Sequence, residues 1–295
     1  MDLSIIIVNY RTFELTRNTI ESVLNSSLSC DYEIIVVDNA SGDGSLEKLE
    51  DFFADESSVR FIPSSINGGF AYANNLAIRD SNPGYYLLLN SDTIVEDNTL
   101  TEALNYIQSH DDVGALGVRV CLEDGKLDKA CRRSFPNPTN SFYRLFHIPS
   151  HNNSNDDYNL DNLDDSGIYE IDCLTGAFIL MRSKVMDEIG LLDETFFMYG
   201  EDIDLCYRIK KAGYKIVYYG KVKITHLKGA SSKKQKNKLI YEFYRAMYIF
   251  YHKHYRDRYS PLLNGLVYIG IALLLIVHLV LNLFKKSNWF LIIFL

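Results

Sequence analysis

The sequence predicts a Rossmann-like α/β fold: a mostly parallel sheet flanked by helices, with a C-terminal membrane-anchoring helical segment behind it. Three observations lead there. Short apolar runs alternate with stretches of helical period. Each run is four to seven residues long, the length of a strand. An uncharged run of 24 residues, 261–284, stands apart from that alternation.

The runs at 3–9, 33–37, 59–62 and 85–90 are read as strands, and 14–26, 45–53 and 69–79 as the helices between them. Such alternation with short connections makes the strands parallel and covers both faces of the sheet. Ligands of these sheets bind beyond the carboxyl ends of the strands. The chain therefore divides into a catalytic domain over 1–232, a basic aromatic juxtamembrane helix over 233–260 and a hydrophobic anchor over 261–295. Residues 151–172 carry seven acids and no Lys or Arg, which predicts a solvated surface loop; their spacing does not match an EF-hand.

Residues 233–258 hold eight Lys or Arg against two acids, interleaved with aromatics. This pattern suits the surface of an anionic membrane, and equally a helix packed on the domain with a basic outer face. The run 261–284 is long enough to cross a bilayer. Basic residues before it place its start in the cytoplasm. Lys285 and Lys286 follow, and 289–295 is apolar again, so a re-entrant or interfacial hairpin competes with a single span.

A composition of 47% hydrophobic and 23% charged residues is that of a folded protein. The net charge of −8 argues against nucleic acid as a partner. Five scattered cysteines, without a metal-finger spacing, fit free thiols in a reducing compartment. The apolar run 5–8 is too short for the core of a signal peptide. The expectation is a chain at the cell membrane with its catalytic domain in the cytoplasm.

The strand ends supply the candidate chemistry. Asn9 and Tyr10 follow the first strand. Asp38 and Asn39 follow the second and open a turn with Gly42 and Gly44, which lacks the third glycine of a dinucleotide fingerprint. A carboxylate there suits a ribose or a base; a polar turn capping the next helix is the other reading. Asn67, Gly68 and Gly69 follow the third strand, where glycines permit close approach of a ligand. Asn90 and Asp92 follow the fourth. Further on, Glu201, Asp202 and Asp204 open a helix, one acid more than capping requires. His226 ends a strand-like stretch and, with Asp92, would make an oxygen-and-nitrogen site for Mg²⁺ or Mn²⁺.

These motifs, in this order, resemble the family 2 glycosyltransferases of GT-A fold, most of all their rhamnosyltransferase-like members. The resemblance spans about residues 3–255 and rests on Ser4–Tyr10, V-D-N-A-S-G-D-G-S at 37–45, N-G-G-F-A-Y-A-N-N at 67–75, L-L-N-S-D at 88–92, G-A-F-I-L-M at 176–181, G-E-D-I-D-L at 200–205 and the stretch 226–231. It implies that Asn9, Tyr10, Asp38, Asn39 and the turn Asn67–Gly69 line a nucleotide-sugar pocket. Asn90 and Asp92 stand where the family has its D-x-D motif, with asparagine in place of the first aspartate. Asp92 and His226 would hold the metal. Asp202 would be the catalytic base, with Glu201 beside it. The implied reaction inverts the sugar in a single displacement onto a hydroxyl of a glycan or a polyprenyl-diphosphate-linked acceptor, in bacterial surface polysaccharide synthesis. dTDP-rhamnose is the favoured donor, and UDP-hexoses remain open. A catalytically silent, membrane-bound nucleotide-sugar scaffold is the alternative.

Overall fold

The computed structural model describes residues 1–136, 158–227 and 236–284. Its centre is a nine-stranded sheet. The first half alternates β1 (Leu3–Asn9), α1 (Phe13–Leu24), β2 (Tyr32–Asp38), α2 (Ser45–Phe52), β3 (Val59–Pro63), α3 (Gly69–Arg79) and β4 (Tyr85–Asn90). These four strands lie parallel in the order β3-β2-β1-β4. The cause is legible in β1 and β2. Ile5, Ile6, Ile7, Ile34, Ile35, Val36 and Val37 are all fully buried, because helices cover both faces and β-branched side chains pack well on a pleated surface.

The second half is mixed. It adds β5 (Thr93–Val95), α4 (Thr99–Gln108), β6 (Val113–Leu122), β7 (Ile168–Ile171), β8 (Phe178–Arg182), α5 (Ser183–Ile189), α6 (Glu201–Lys211) and β9 (Lys215–His226). β8 enters antiparallel beside β4, then come β6, β9 and β5, with β7 also on β9. The expected parallel sheet thus forms the nucleus, and an antiparallel insertion extends it. Part of the stretch expected to be a solvated loop is ordered instead. Residues 168–171 join the sheet as β7, and the buried Arg132 binds Leu163 O, Asp164 O and the Asp165 carboxylate. A charge buried at 132 needs those acceptors, which draws the acidic segment in. Residues 151–157 of that loop lie outside the described residues.

Register sets the site. β1 pairs with β2 so that Asn9 lies opposite Asp38, and with β4 so that Val8 lies opposite Asn90. Three strand ends therefore reach one edge together. Gly69, at φ +88°, lets the loop before α6 close down on this edge. A Cβ there would stand 2.1 Å from Phe197 O, and the Phe70 N–H donates to that same oxygen at 3.0 Å.

Two further helices follow, α7 (Lys236–His254) and α8 (Pro261–Phe284). α7 packs on the domain through a second apolar cluster that joins Ala246, Phe250, Tyr251 and Tyr255 to Phe196 and Tyr207.

Candidate active site

At the edge of β1–β3 the polar side chains form one network. The Asn9 amide donates to Asp38 Oδ1 at 2.7 Å, to Ser41 Oγ at 3.2 Å and to Ser45 Oγ at 3.0 Å. Its own oxygen accepts from Thr12 and Thr16. Asn9 is fully buried, and its amide is engaged within the protein, where it fixes Asp38. Asp38 also accepts from the Ser41 N–H at 3.0 Å. Asn39 bridges to the third strand end: its oxygen accepts from the Gly68 N–H at 3.1 Å, and its amide donates to Asn67 Oδ1 at 3.1 Å and to Gly69 O. Asp38, Asn39, Asn67, Gly68 and Gly69 are thus brought together. Tyr10 stays half-exposed beside them, with the Arg11 guanidinium over its ring.

A second group forms where β5 pairs with β9. That register sets Thr93 against His226, and the Leu227 N–H donates to Asp92 O. His226 Nε2 consequently lies 3.0 Å from Asp92 Oδ1. The other ring nitrogen faces Asp128 Oδ2 at 3.6 Å. Burial alone would lower the histidine pKa, but the hydrogen-bonding carboxylates Asp128 and Asp92 outweigh it and raise the value to about 9. One carboxylate oxygen and one imidazole nitrogen form a donor pair that Mg²⁺ or Mn²⁺ accepts, and a carboxylate behind the imidazole is a recurrent support for such ligands. With the imidazole in its neutral form, Asp92 and His226 would together hold a divalent cation. Among the described residues no third His, Cys, Asp or Glu completes a protein-only cage. Gly229 and Ser231, expected after His226, lie outside the described residues.

The third group opens α6. Gly200, in the left-handed region at φ +82°, turns the chain into the helix. Asp202 then accepts from Arg133 Nη2 at 2.8 Å and from the Gly176 N–H at 3.3 Å, while its other oxygen accepts from the Ile203 N–H. The Asn90 N–H donates to Ala177 O, so residues 176–177 connect Asp202 to the end of β4. Glu201 is buried, and its Oε2 has no hydrogen-bond partner among the described residues. Burial, then the Asp202 charge, pushes its carboxyl up to about 8. Asp204 faces the other way and is fully buried. Arg208 at 2.8 Å, Lys253 at 2.8 Å and His254 at 2.7 Å surround it. Burial opposes its ionisation, yet the hydrogen bond with His254 and the charges of Arg208 and Lys253 hold its pKa down to about 2.

Arg133 and Asp128 are absent from the sequence expectations, although both lie in the turn after β6 that touches two of the three groups. The signal available was the cluster Asp128-Lys129-Ala130-Cys131-Arg132-Arg133 at a strand end. Its relevance depends on β6 pairing with β9, which no local pattern reveals.

Comparison with known proteins agrees with this geometry. A low-salt glycan biosynthesis hexosyltransferase of Haloferax volcanii is 28% identical over 223 residues, covering 73% of this chain and 64% of that protein. An N-acetylglucosaminyl-diphospho-decaprenol L-rhamnosyltransferase of Mycobacterium tuberculosis is 24% identical over 230 residues, 74% of this chain and 73% of that one. Among solved structures, the mannosyltransferase of Pyrobaculum calidifontis in complex with GDP-Man and Mn²⁺ superposes with a TM-score of 0.61 at 16% identity. That match covers 88% of this chain and 65% of the other, and it shows the GT-A arrangement of sheet and helices. The pattern of glycosyl transferase family 2 matches residues 4–190, well over half of the sequence, and the chain belongs to that family.

Proposed function

We propose that the chain transfers a sugar from a nucleotide-sugar donor to an acceptor hydroxyl, with inversion, in the building of a surface polysaccharide. One observation carries this reading: the Asp38 network, the Asp92–His226 pair and Asp202 converge on one edge of the sheet. Asp38, Asn39 and the Asn67–Gly69 turn form the polar cradle for the nucleotide, with half-exposed Tyr10 at its rim. Asn90 and Asp92 lie towards the diphosphate. Asp92 and His226 would hold Mg²⁺ or Mn²⁺, which when bound neutralises charge on the departing diphosphate. Asp202 accepts the proton of the attacking hydroxyl. Arg133 orients that carboxylate through an ion pair, with the buried Glu201 beside it.

Rhamnose from dTDP-rhamnose, carried to a glycan on a polyprenyl diphosphate, is the finer reading. It is supported by the relative in Mycobacterium tuberculosis, whose name states a rhamnosyl transfer to a lipid diphosphate. The residues of the helical hairpin after the sheet favour attachment of the cytoplasmic catalytic domain to the cell membrane. One observation favours a silent sugar-nucleotide scaffold instead: Asp202 is already engaged in an ion pair with Arg133.

A panel of nucleotide sugars, followed by nucleoside diphosphate release with Mg²⁺ or Mn²⁺, separates the two. Transfer is expected with one donor, and Asp202→Asn should lower it at least about a hundredfold while donor binding persists. Donor binding without transfer in the wild type would support the scaffold.

A further inference from the structure

α7 and α8 form a hairpin whose two sides differ in kind. One side of α7 lies on the catalytic domain along its whole length: Lys238 Nζ sits over the Phe197 ring, Ala246 and Phe250 pack near Phe196, and Lys253 and His254 bind Asp204. The 19 residues of α7 make that docked helix about 28 Å long. α8 runs back antiparallel along the other side of α7. Polar contacts recur down the seam: Tyr251 with Asn264 at 2.7 Å, His252 with Tyr268 at 3.0 Å, Tyr244 with His278 at 2.7 Å, and Asn237 with Asn282. All four polar side chains of α8 named here thus face α7. The opposite face is an exposed apolar stripe at helical spacing: Leu262, Leu266, Ile269, Leu273, Ile276 and Val280.

From this layering we infer that α8 lies in the plane of the membrane, its outer stripe among the acyl chains of one leaflet, and does not cross the bilayer. The inference rests on the membrane attachment proposed above and fixes its form. A perpendicular α8 would carry α7 into the hydrocarbon with it, because the two are bonded from end to end. Glu242, Arg245 and Lys253 would enter too, followed by the catalytic layer docked behind them. Charged groups at that depth are strongly disfavoured. In the plane, the apolar stripe alone leaves water and the seam stays shielded. Charge supports an anionic leaflet as the occupant. Apart from Lys238 and Lys253, which face the catalytic domain, the stretch 236–258 has Lys236, Arg245, Arg256 and Arg258 against Glu242 and Asp257.

The test uses the full chain on phosphatidylglycerol–phosphatidylcholine vesicles. Cys30→Ser removes the one half-exposed thiol, the other four being buried. Leu262→Cys, Ile269→Cys and Val280→Cys are then labelled with a fluorophore and quenched by nitroxide lipids of graded depth. All three lie on exposed faces, so the seam is untouched. Equal, shallow depths at all three are expected. A depth that runs from one leaflet through the centre to the other overturns the inference. So does absence of lipid quenching with labels approaching one another between chains, the signature of a second copy. As a second readout, Ile269→Asp with Leu273→Asp should lower the bound-to-free ratio on vesicles at least about tenfold with melting unchanged. An unchanged ratio overturns it. Neither readout involves sugar transfer, so failure here is distinct from failure of the proposed reaction.

Discussion

Three acids within four residues of α6 sit in three environments. Asp202 is paired with Arg133, Asp204 is enclosed by cations, and Glu201 is buried without a hydrogen-bond partner for one oxygen. Glu201 has a testable signature. Its folded pKa, about 8, stands above the ordinary 4.5, so its contribution to stability is complete below 4.5 and is lost as pH rises through 8. Glu201→Gln, neutral throughout, should melt higher than the wild type at pH 8.5 and no higher at pH 4.5. The difference is read at about 2–4 °C per kcal/mol for a protein of this size. Parallel melting curves across that range would remove the buried charge from the account. On the opposite side of the site, Asp128 stands behind the imidazole of His226. Asp128→Asn should weaken Mn²⁺ binding about 10–100-fold, measured from the free Mn²⁺ signal by electron paramagnetic resonance. An unaltered affinity would leave Asp128 with a purely structural part.

Among elements, α6 and α7 are joined through Asp204. A buried carboxylate bound by Arg208, Lys253 and His254 leaves the Arg208 and Lys253 charges uncompensated when it is neutralised, at a cost of about 3–5 kcal/mol. Asp204→Asn should therefore lower the melting temperature by roughly 10 °C, and amide exchange should accelerate first in α7. Uniform acceleration through the sheet would show that the clamp is not local. The same carboxylate loses its contribution as pH falls from 3.8 through about 2. These elements also show what can be read locally. β1 and β2 follow from runs of buried β-branched residues, β3 and β4 from short apolar runs, and α3 from glycine punctuation, and all five appear within a residue or two of expectation. The pairing of Asp92 with His226 is expected from their ligand chemistry as well as from likeness to a family, and the β5–β9 register accounts for their contact. Arg133 and Asp128 were missed because their partners lie 69 and 98 positions away. Separations of that size leave no trace in hydrophobic period.

The molecule as a whole is layered: sheet, α6, α7 and α8, each packed on the one before. Helix layers pack about 8–10 Å apart, so Asp202 on α6, the proposed base, stands about 20 Å from the axis of α8. An acceptor whose lipid lies in the leaflet would need only its diphosphate and first sugars to cover that distance. Holding enzyme and acceptor on one surface raises their effective concentration without any new contact. The double substitution Ile269→Asp with Leu273→Asp alters only the lipid-facing side. It should therefore raise the apparent KM for a lipid-linked acceptor in vesicles by at least about tenfold, while kcat stays within about twofold. Transfer to a short water-soluble acceptor should be unaffected in both terms. Equal loss on both acceptors would mean that the stripe supports the fold of the catalytic layer, and an unchanged KM in vesicles would mean that the acceptor reaches Asp202 from solution.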